Sequence, residues 1–96
     1  MLDLDKIRME IDQVDRELVS LLEKRMDLVG QVLSFKKSTG KAVLDNKRET
    51  EVLDKVGKRV QNKQYEKTIQ ATFQVIMDHS KVYQSQELEK SHEREN

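Results

Sequence analysis

Apolar residues in the first third of the chain recur at alternating spacings of three and four. The series consists of Leu4, Ile7, Ile11, Val14, Leu18 and Leu21, and then Leu28 and Val32. This is the period of one helix face, because successive residues lie about 100° apart around the helix axis. The pattern predicts one helix from Leu4 to about Phe35, with Gly30 as the only breaker inside it.

Arg25 occupies the next position of this series after Leu21, where another leucine is expected. A guanidinium is always charged, and on a buried helix face it costs on the order of several kcal/mol unless an anion meets it. The position therefore predicts either an internal carboxylate partner or a bound anion, and the pattern alone leaves both open.

A second helix is predicted after a loop at 38–41, which contains Gly40. Asp45 is a suitable N-cap for this helix, and Glu49 lies in the turn that follows. The apolar stripe of the helix consists of Val52, Leu53, Val56 and Val60. Polar residues at 61–64 end it.

A third helix is predicted from the apolar positions Tyr65, Ile69, Phe73, Ile76 and Met77. Ser80, Gln84 and Leu88 continue the same face, so two polar residues take apolar positions there. The last residues contain no apolar side chain, and 91–96 is predicted to be a disordered polar tail. Residues 1–90 then form a single all-α domain of three helices.

The predicted first helix is longer than a compact monomer of this size. About 30 helical residues span about 45 Å, whereas a compact globule of this chain length is about 30 Å across. We therefore expect a two-fold symmetric homodimer whose long helices cross between the subunits.

Composition excludes several classes of function. The 18 basic and 18 acidic side chains balance, so the chain lacks the overall positive field that attracts nucleic acid. With no Cys and two His, disulfides and a metal site are not expected. No segment reads as a membrane span or a leader peptide. We expect a cytoplasmic protein with no nucleic-acid or membrane partner.

Several polar residues break the local pattern, and each has an ordinary structural explanation. Arg25 could pair with an internal carboxylate, and Lys36 could complement a helix dipole. Asp45 with Glu49 could be only a capping pair, and Ser80 could bond back to the carbonyl one turn earlier. It is their joint occurrence that indicates a site. The full set is Arg25, Lys36, Asp45, Arg48, Glu49, Ser80 and Gln84.

Together these residues describe a pocket for a small polyanion that also carries a hydroxyl group. No activated nucleophile is evident, because His79 would point about 100° away from Ser80 around the helix. A pocket of this kind, without nucleophile, metal or cofactor, suits catalysis by orientation and electrostatic stabilisation.

The polar pattern resembles the all-helical class of chorismate mutases over residues 4 to about 88. The positions that carry the resemblance are Arg8, Asp15, Arg25, Lys36, the block Asp45-x-x-Arg48-Glu49, Ser80 and Gln84. The resemblance implies a long, a short and an intermediate helix in an intertwined homodimer. It also implies a cofactor-free rearrangement of chorismate to prephenate in aromatic amino acid biosynthesis.

The resemblance assigns one group of residues to the two carboxylates of chorismate. Arg25 and Arg48 would meet them together with Arg8 from the partner subunit, and Ser80 would add a hydroxyl contact. Arginine suits this role because its planar fork can bind a carboxylate through two hydrogen bonds. Without the resemblance, Arg8 would be taken for an ordinary surface arginine.

A second group is assigned to the reacting part of the substrate. Lys36 and Gln84 would flank the ether oxygen, where negative charge develops in the transition state. Glu49 would accept a hydrogen bond from the ring hydroxyl, assisted by the backbone near Asp45.

Two positions depart from the pattern of the family, and two other functions compete with this one. Ala42 precedes Val43 where a proline is common, and Lys81 follows Ser80 where a small apolar residue is usual.

An isochorismate pyruvate-lyase would share the fold and much of the cationic pocket. A non-catalytic helical dimer that serves as an interaction module would instead pair Arg25 internally.

Overall fold

The structure, a computed structural model, describes residues 1–95, with side chains as far as Ser91. Helix α1 spans Leu4–Thr39, α2 spans Asn46–Arg59 and α3 spans Glu66–Glu95, and a 3₁₀ turn at Lys63–Tyr65 precedes α3. The described residues contain no strand. The predicted all-α class and the order of a long, a short and an intermediate helix are therefore confirmed.

Helix α1 ends at Thr39, four residues beyond the predicted end near Phe35. The hydroxyls of Ser38 and Thr39 donate to the Phe35 carbonyl at 2.8 and 2.9 Å. These bonds satisfy a carbonyl of the last turn and allow both residues to stay helical. Gly40 then adopts a left-handed conformation with φ 71°, which stops the helix.

Helix α2 begins where the sequence predicts. The Asp45 carboxylate accepts a 3.0 Å hydrogen bond from the backbone N–H of Arg48, as an N-cap residue does. The helix ends at Arg59, and Val60 is already extended, so Val60 does not extend the helical stripe.

Helix α3 packs along α2 and against the second half of α1. The buried apolar side chains are Leu33, Val56 and Met77, one from each helix. Gly57 leaves room for the Gln70 amide, which donates to the Leu53 carbonyl, because a Cβ at this position would lie 2.5 Å from the Gln70 side-chain nitrogen. Of the predicted apolar face of α3, Tyr65 falls in the 3₁₀ turn and is exposed.

The regular apolar series of α1 is not buried within one protomer. Its members from Leu4 to Phe35, apart from half-buried Ile7, remain between 47% and 63% exposed. Leu22, Val29 and Leu33, each one position from a member of this series, are more buried. The protomer measures 63 × 26 × 15 Å, so much of α1 has no neighbour to cover it.

The structure also bears on the predicted tail and on the membrane. Helix α3 continues to Glu95, whereas Asn96 and the side chains after Ser91 lie outside the described residues. The prediction of a disordered tail at 91–96, and of a domain boundary at 90, stays a prediction.

Within the described chain, none of the helices has the length and apolarity needed to cross a membrane.

Candidate active site

A cavity of about 300 Å³ lies between the three helices. It contains all of the predicted site residues except Arg8. Its polar lining consists of Arg25, Lys36, Asp45, Arg48, Glu49, Ser80, Lys81 and Gln84. Its apolar lining consists of Leu28, Val29, Val32, Val43, Val52 and Met77. The volume and the mixed lining are those of a small-molecule site.

Helix α1 supplies two cations to the cavity from one face. Arg25 and Lys36 are eleven positions apart, which is about three helical turns, so they point in nearly the same direction. The ammonium of Lys36 donates a 2.9 Å hydrogen bond to the Val43 carbonyl. This bond ties the end of α1 to the segment that leads into α2 and holds the ammonium at the cavity wall.

Arg25 contacts α3 through Ser80. Its guanidinium donates a 3.0 Å hydrogen bond to the Ser80 hydroxyl, which is only 5% exposed. The Ser80 hydroxyl also lies 2.9 Å from the Ile76 carbonyl, so the bond to the preceding turn exists beside the contact with Arg25. Arg25 forms no ion pair with any carboxylate among the side chains described, those of residues 1–91.

The two arginines of the cavity affect one another. Burial lowers the pKa of the Arg25 guanidinium, and the positive charge of Arg48 lowers it further. Both effects disfavour the charged form, yet a guanidinium stays protonated in proteins. A bound anion between the two side chains would relieve both, so this part of the cavity favours a negatively charged ligand.

The start of α2 places three site residues side by side. Because the Asp45 carboxylate caps the helix through the Arg48 N–H, the side chains of Arg48 and Glu49 emerge from the first turn. The capping role of Asp45 is thus present in the structure. The cap sets the direction of both neighbouring side chains toward the cavity that they line.

Glu49 is held by two residues of α3. Its Oε1 atom accepts hydrogen bonds from Gln74 at 3.1 Å and from Lys81 at 3.3 Å. The Lys81 ammonium also lies 3.1 Å from Glu49 Oε2 and 3.4 Å from Asp78. The hydrogen bond with Glu49, more than any other contact, raises the pKa of Lys81. The hydrogen bond from Gln74 is the main cause of the lowered pKa of Asp78.

Two buried oxygens in this region accept no hydrogen bond from the described residues. They are Glu49 Oε2 and Gln84 Oε1. Oε2 lies within ion-pair distance of Lys81, but the contact does not have hydrogen-bond geometry. A buried acceptor without a donor is costly and uncommon, and both belong to side chains that line the cavity.

Arg8 is not brought to this cavity by its own chain. It is exposed near the start of α1, seventeen residues before Arg25, which corresponds to about 25 Å along the helix. A contribution of Arg8 to a cavity of this kind therefore requires a second copy of the chain.

Sequence reasoning missed Gln74 and assigned no contact to Lys81. Both contact Glu49 from α3, one turn or more before Gln84. Their spacing of seven positions, with Asp78 between them, indicates a polar stripe on one helix face. Position alone does not indicate which residue of α2 this stripe would meet.

The chemistry available in the cavity is electrostatic. Four cationic and two acidic side chains line it, and no histidine does. Ser80 therefore has no imidazole beside it that could activate its hydroxyl. Among residues 1–91, whose side chains the structure describes, no group of three or more His, Asp or Glu side chains is arranged to hold a metal ion. The arrangement can bind a small anion and stabilise negative charge as it develops.

Two comparisons connect this arrangement to known proteins. A family model described as chorismate mutase type II matches residues 7–85. A chorismate mutase from Methanocaldococcus jannaschii is 29% identical over 89 residues, which is 92% of this chain and 90% of that protein. The range matched by the family model includes Arg8 and every residue that lines the cavity.

Proposed function

Because this chain belongs to the chorismate mutase type II family, we propose that its cavity binds chorismate and converts it to prephenate. The reaction moves the enolpyruvyl group within one molecule: a carbon–oxygen bond breaks while a carbon–carbon bond forms. It needs no nucleophile, redox partner or leaving group. The observation that carries the proposal is that two arginines, Arg25 and Arg48, line the cavity together. Arg25 has no carboxylate partner among the described residues.

Arg25 and Arg48 are proposed to bind the two carboxylates of the substrate. The mutual repulsion of their guanidinium groups falls when an anion lies between them. Ser80 supports this part of the site through its hydrogen bond with Arg25. Binding two carboxylates at fixed positions also orients the enolpyruvyl group toward the ring, which lowers the entropic part of the barrier.

Lys36 and Gln84 are proposed to stabilise the ether oxygen as its bond to the ring breaks. The oxygen gains negative charge in the transition state, so a fixed ammonium and amide favour the transition state over the substrate. Lys36 is held by the Val43 carbonyl, and Gln84 is only 7% exposed. The Lys36 ammonium is therefore held in place before the substrate arrives, and the Gln84 side chain is already buried beside the cavity.

Glu49 is proposed to accept a hydrogen bond from the ring hydroxyl. Its Oε2 atom is buried and accepts no hydrogen bond from the described residues, whereas Oε1 already accepts two. Asp45 contributes by capping α2, which fixes the first turn that carries Glu49. A ring hydroxyl bound in the cavity would donate its proton to this carboxylate.

A homodimer is proposed to complete the site. The exposed apolar series along α1 is a continuous face, and burial of such a face in a two-fold interface is the commonest solution for a small protein. Arg8 lies on the part of α1 that extends away from the cavity-forming half. We propose that each subunit supplies Arg8 to the cavity of its partner.

The wider setting of the reaction rests on the family alone. A place in aromatic amino acid biosynthesis and a cytoplasmic location stay predictions. Family membership does not favour the isochorismate pyruvate-lyase or the non-catalytic module.

The test follows chorismate consumption by the purified protein and identifies the product. Lys36→Ala should lower turnover on the order of 10²-fold or more, as the loss of an oxyanion donor does. Lys37→Ala is the matched control, because Lys37 is the next residue of α1, is exposed and does not line the cavity. Its turnover should equal that of the wild type.

Three outcomes contradict the proposal. Wild-type protein that folds and does not consume chorismate would favour the non-catalytic module. Turnover of isochorismate to pyruvate and salicylate in preference to chorismate would favour the lyase. Equal turnover by the wild type and Lys36→Ala would show that Lys36 does not stabilise the transition state.

A further inference from the structure

Glu49 is connected to α3 through contacts that differ between its two oxygens. Oε1 accepts hydrogen bonds from Gln74 and Lys81 at 3.1 and 3.3 Å. Oε2 lies 3.1 Å from the Lys81 ammonium but accepts no hydrogen bond. Lys81 therefore contacts both oxygens of the Glu49 carboxylate, and Gln74 contacts one of them.

Asp78 contacts both Gln74 and Lys81, the two residues that donate to Glu49. It accepts a 3.0 Å hydrogen bond from Gln74 and lies 3.4 Å from the Lys81 ammonium. These three residues lie within two turns on one face of α3, where residues three and four apart are neighbours. Gln74 and Lys81 thus each bridge the carboxylates of Glu49 and Asp78, which connects α2 to α3 beside the cavity.

We propose that Lys81 is a positioning residue that, together with Gln74, holds the Glu49 carboxylate at the cavity wall, where it accepts from the hydroxyl of the substrate. The inference rests on the proposed function, because it assigns the ring hydroxyl of chorismate to the Glu49 carboxylate. Lys81 and Glu49 are 30% and 17% exposed as side chains, so their contact is partly shielded from water. Such a pair orients better than a fully exposed one.

The charge of Lys81 has a second effect on the same contact. Glu49 is an anion at the wall of a cavity that is to bind a dianion, so its charge alone opposes binding. An ammonium 3.1 Å from Oε2 offsets that repulsion and leaves the carboxylate as an acceptor. The Lys81 ammonium is charged at neutral pH, and the hydrogen bond to Glu49 raises its pKa further.

Two other roles for Lys81 give different results. Lys81 also lines the cavity, so it could attract the dianion directly, without the involvement of Glu49. It could also serve only to join α2 to α3. The first role would be independent of the residue at 49, and the second would affect folding but not the ratio of kcat to KM in the folded enzyme.

The experiment is a double-mutant cycle on chorismate turnover, with Lys81→Met and Glu49→Gln alone and combined. Lys81→Met should lower kcat/KM about tenfold, less than the ~10²-fold that a misplacement of 1 Å can cause. In the Glu49→Gln background the same change should alter kcat/KM less than about twofold. Lys81→Arg keeps a cationic donor and should recover most of the loss.

Lys58→Met is the matched control. Lys58 is also a lysine in an ion pair, with Asp54 at 3.0 Å, but it is exposed and does not line the cavity. Its kcat/KM should equal that of the wild type. Circular dichroism and the melting temperature of each variant would verify that the activities refer to folded protein.

The outcomes separate this inference from the function on which it rests. If wild type and Lys36→Ala behave as expected but Lys81→Met has wild-type kcat/KM, only the positioning role is overturned. A tenfold loss in both backgrounds would also overturn it, in favour of direct attraction of the substrate. An inactive wild type would overturn the proposed function and this inference together.

Discussion

The guanidinium of Arg25 donates a 3.0 Å hydrogen bond to the hydroxyl of Ser80, which connects α1 to α3 at the cavity. A hydroxyl has one proton, and the shortest contact in which this one can donate is the 2.9 Å contact with the Ile76 carbonyl. In this arrangement Ser80 is an acceptor toward Arg25. The structure therefore supports Ser80 as an orienting group for Arg25, and a direct bond from Ser80 to substrate would require its hydroxyl to rotate.

Because residue 84 is a glutamine, we expect that turnover does not require the protonation of this side chain. A glutamine amide donates a proton at any ordinary pH, whereas a glutamate at this position would have to be protonated first. The profile of kcat against pH should not rise toward low pH in the wild type. The Gln84→Glu variant should acquire such a rise, with full activity only where the new carboxyl is protonated. A steep acid rise in the wild type that disappears in Gln84→Ala would contradict this prediction.

The proposed exchange of Arg8 predicts that two inactive variants restore activity when they are mixed. Arg8→Ala removes the residue given to the partner, and Lys36→Ala removes a residue of the subunit's own cavity. A mixed dimer would contain one cavity with both residues intact. After subunits have re-equilibrated from equal amounts, about a quarter of all cavities should be intact, because half of the dimers are mixed.

The control for this experiment uses two residues of the same cavity. Arg25→Ala mixed with Lys36→Ala gives no intact cavity in any dimer, so activity should not recover. No recovery in the mixture of Arg8→Ala with Lys36→Ala would show that Arg8 is not supplied by the partner. Recovery in the control would contradict the placement of Arg25 and Lys36 in one cavity of the same subunit. Turnover of chorismate is the readout in both mixtures.

Substitution of Gly40 should change the stability of the protein through backbone conformation alone. Its φ of 71° lies in the left-handed region, and an added Cβ would meet nothing within 4 Å. Gly40→Ala should therefore lower the free energy of unfolding by about 1 kcal/mol. This corresponds to a fall in melting temperature of about 4–8 °C for a domain of this size. Gly40→Asn should lose less, because asparagine tolerates this conformation better.

Gly30→Ala is the control for that prediction. Gly30 also has open space around it in the protomer, but it lies within α1 and has no positive φ. Alanine is the better helix former, so this variant should be as stable as the wild type or more stable. All melting temperatures should be compared at one protein concentration, since association affects them. Equal losses at the two positions would contradict the conformational explanation.

Most of the candidate site could be predicted from polar residues that occupy positions where the helical pattern expects apolar ones. Arg25, Ser80 and Gln84 occupy positions where the helical pattern expects an apolar side chain, and all three line the cavity. The N-cap at Asp45 is also a local signal, because its partner is three residues away. Such features depend on a few neighbouring positions, which is why the sequence alone reveals them.

Contacts between distant segments could not be predicted in the same way. The bonds of Glu49 with Gln74 and Lys81 join α2 to α3 across 25 and 32 positions. They depend on how the two helices are rotated against each other, and periodicity does not determine that rotation. The same limit applies to α1, where Leu22 and Leu33 are more buried than the neighbouring members of the regular series.

The unbroken course of α1 between Arg25 and Lys36 makes the number of residues in that segment part of the site. One inserted residue would turn everything after it by about 100° and direct Lys36 away from the cavity, although helix, charge and composition would all be retained. The connection at 60–62 between α2 and the 3₁₀ turn contributes nothing to the cavity lining. Changes of length are therefore compatible with catalysis at that connection, whereas between Arg25 and Lys36 even a single insertion is not.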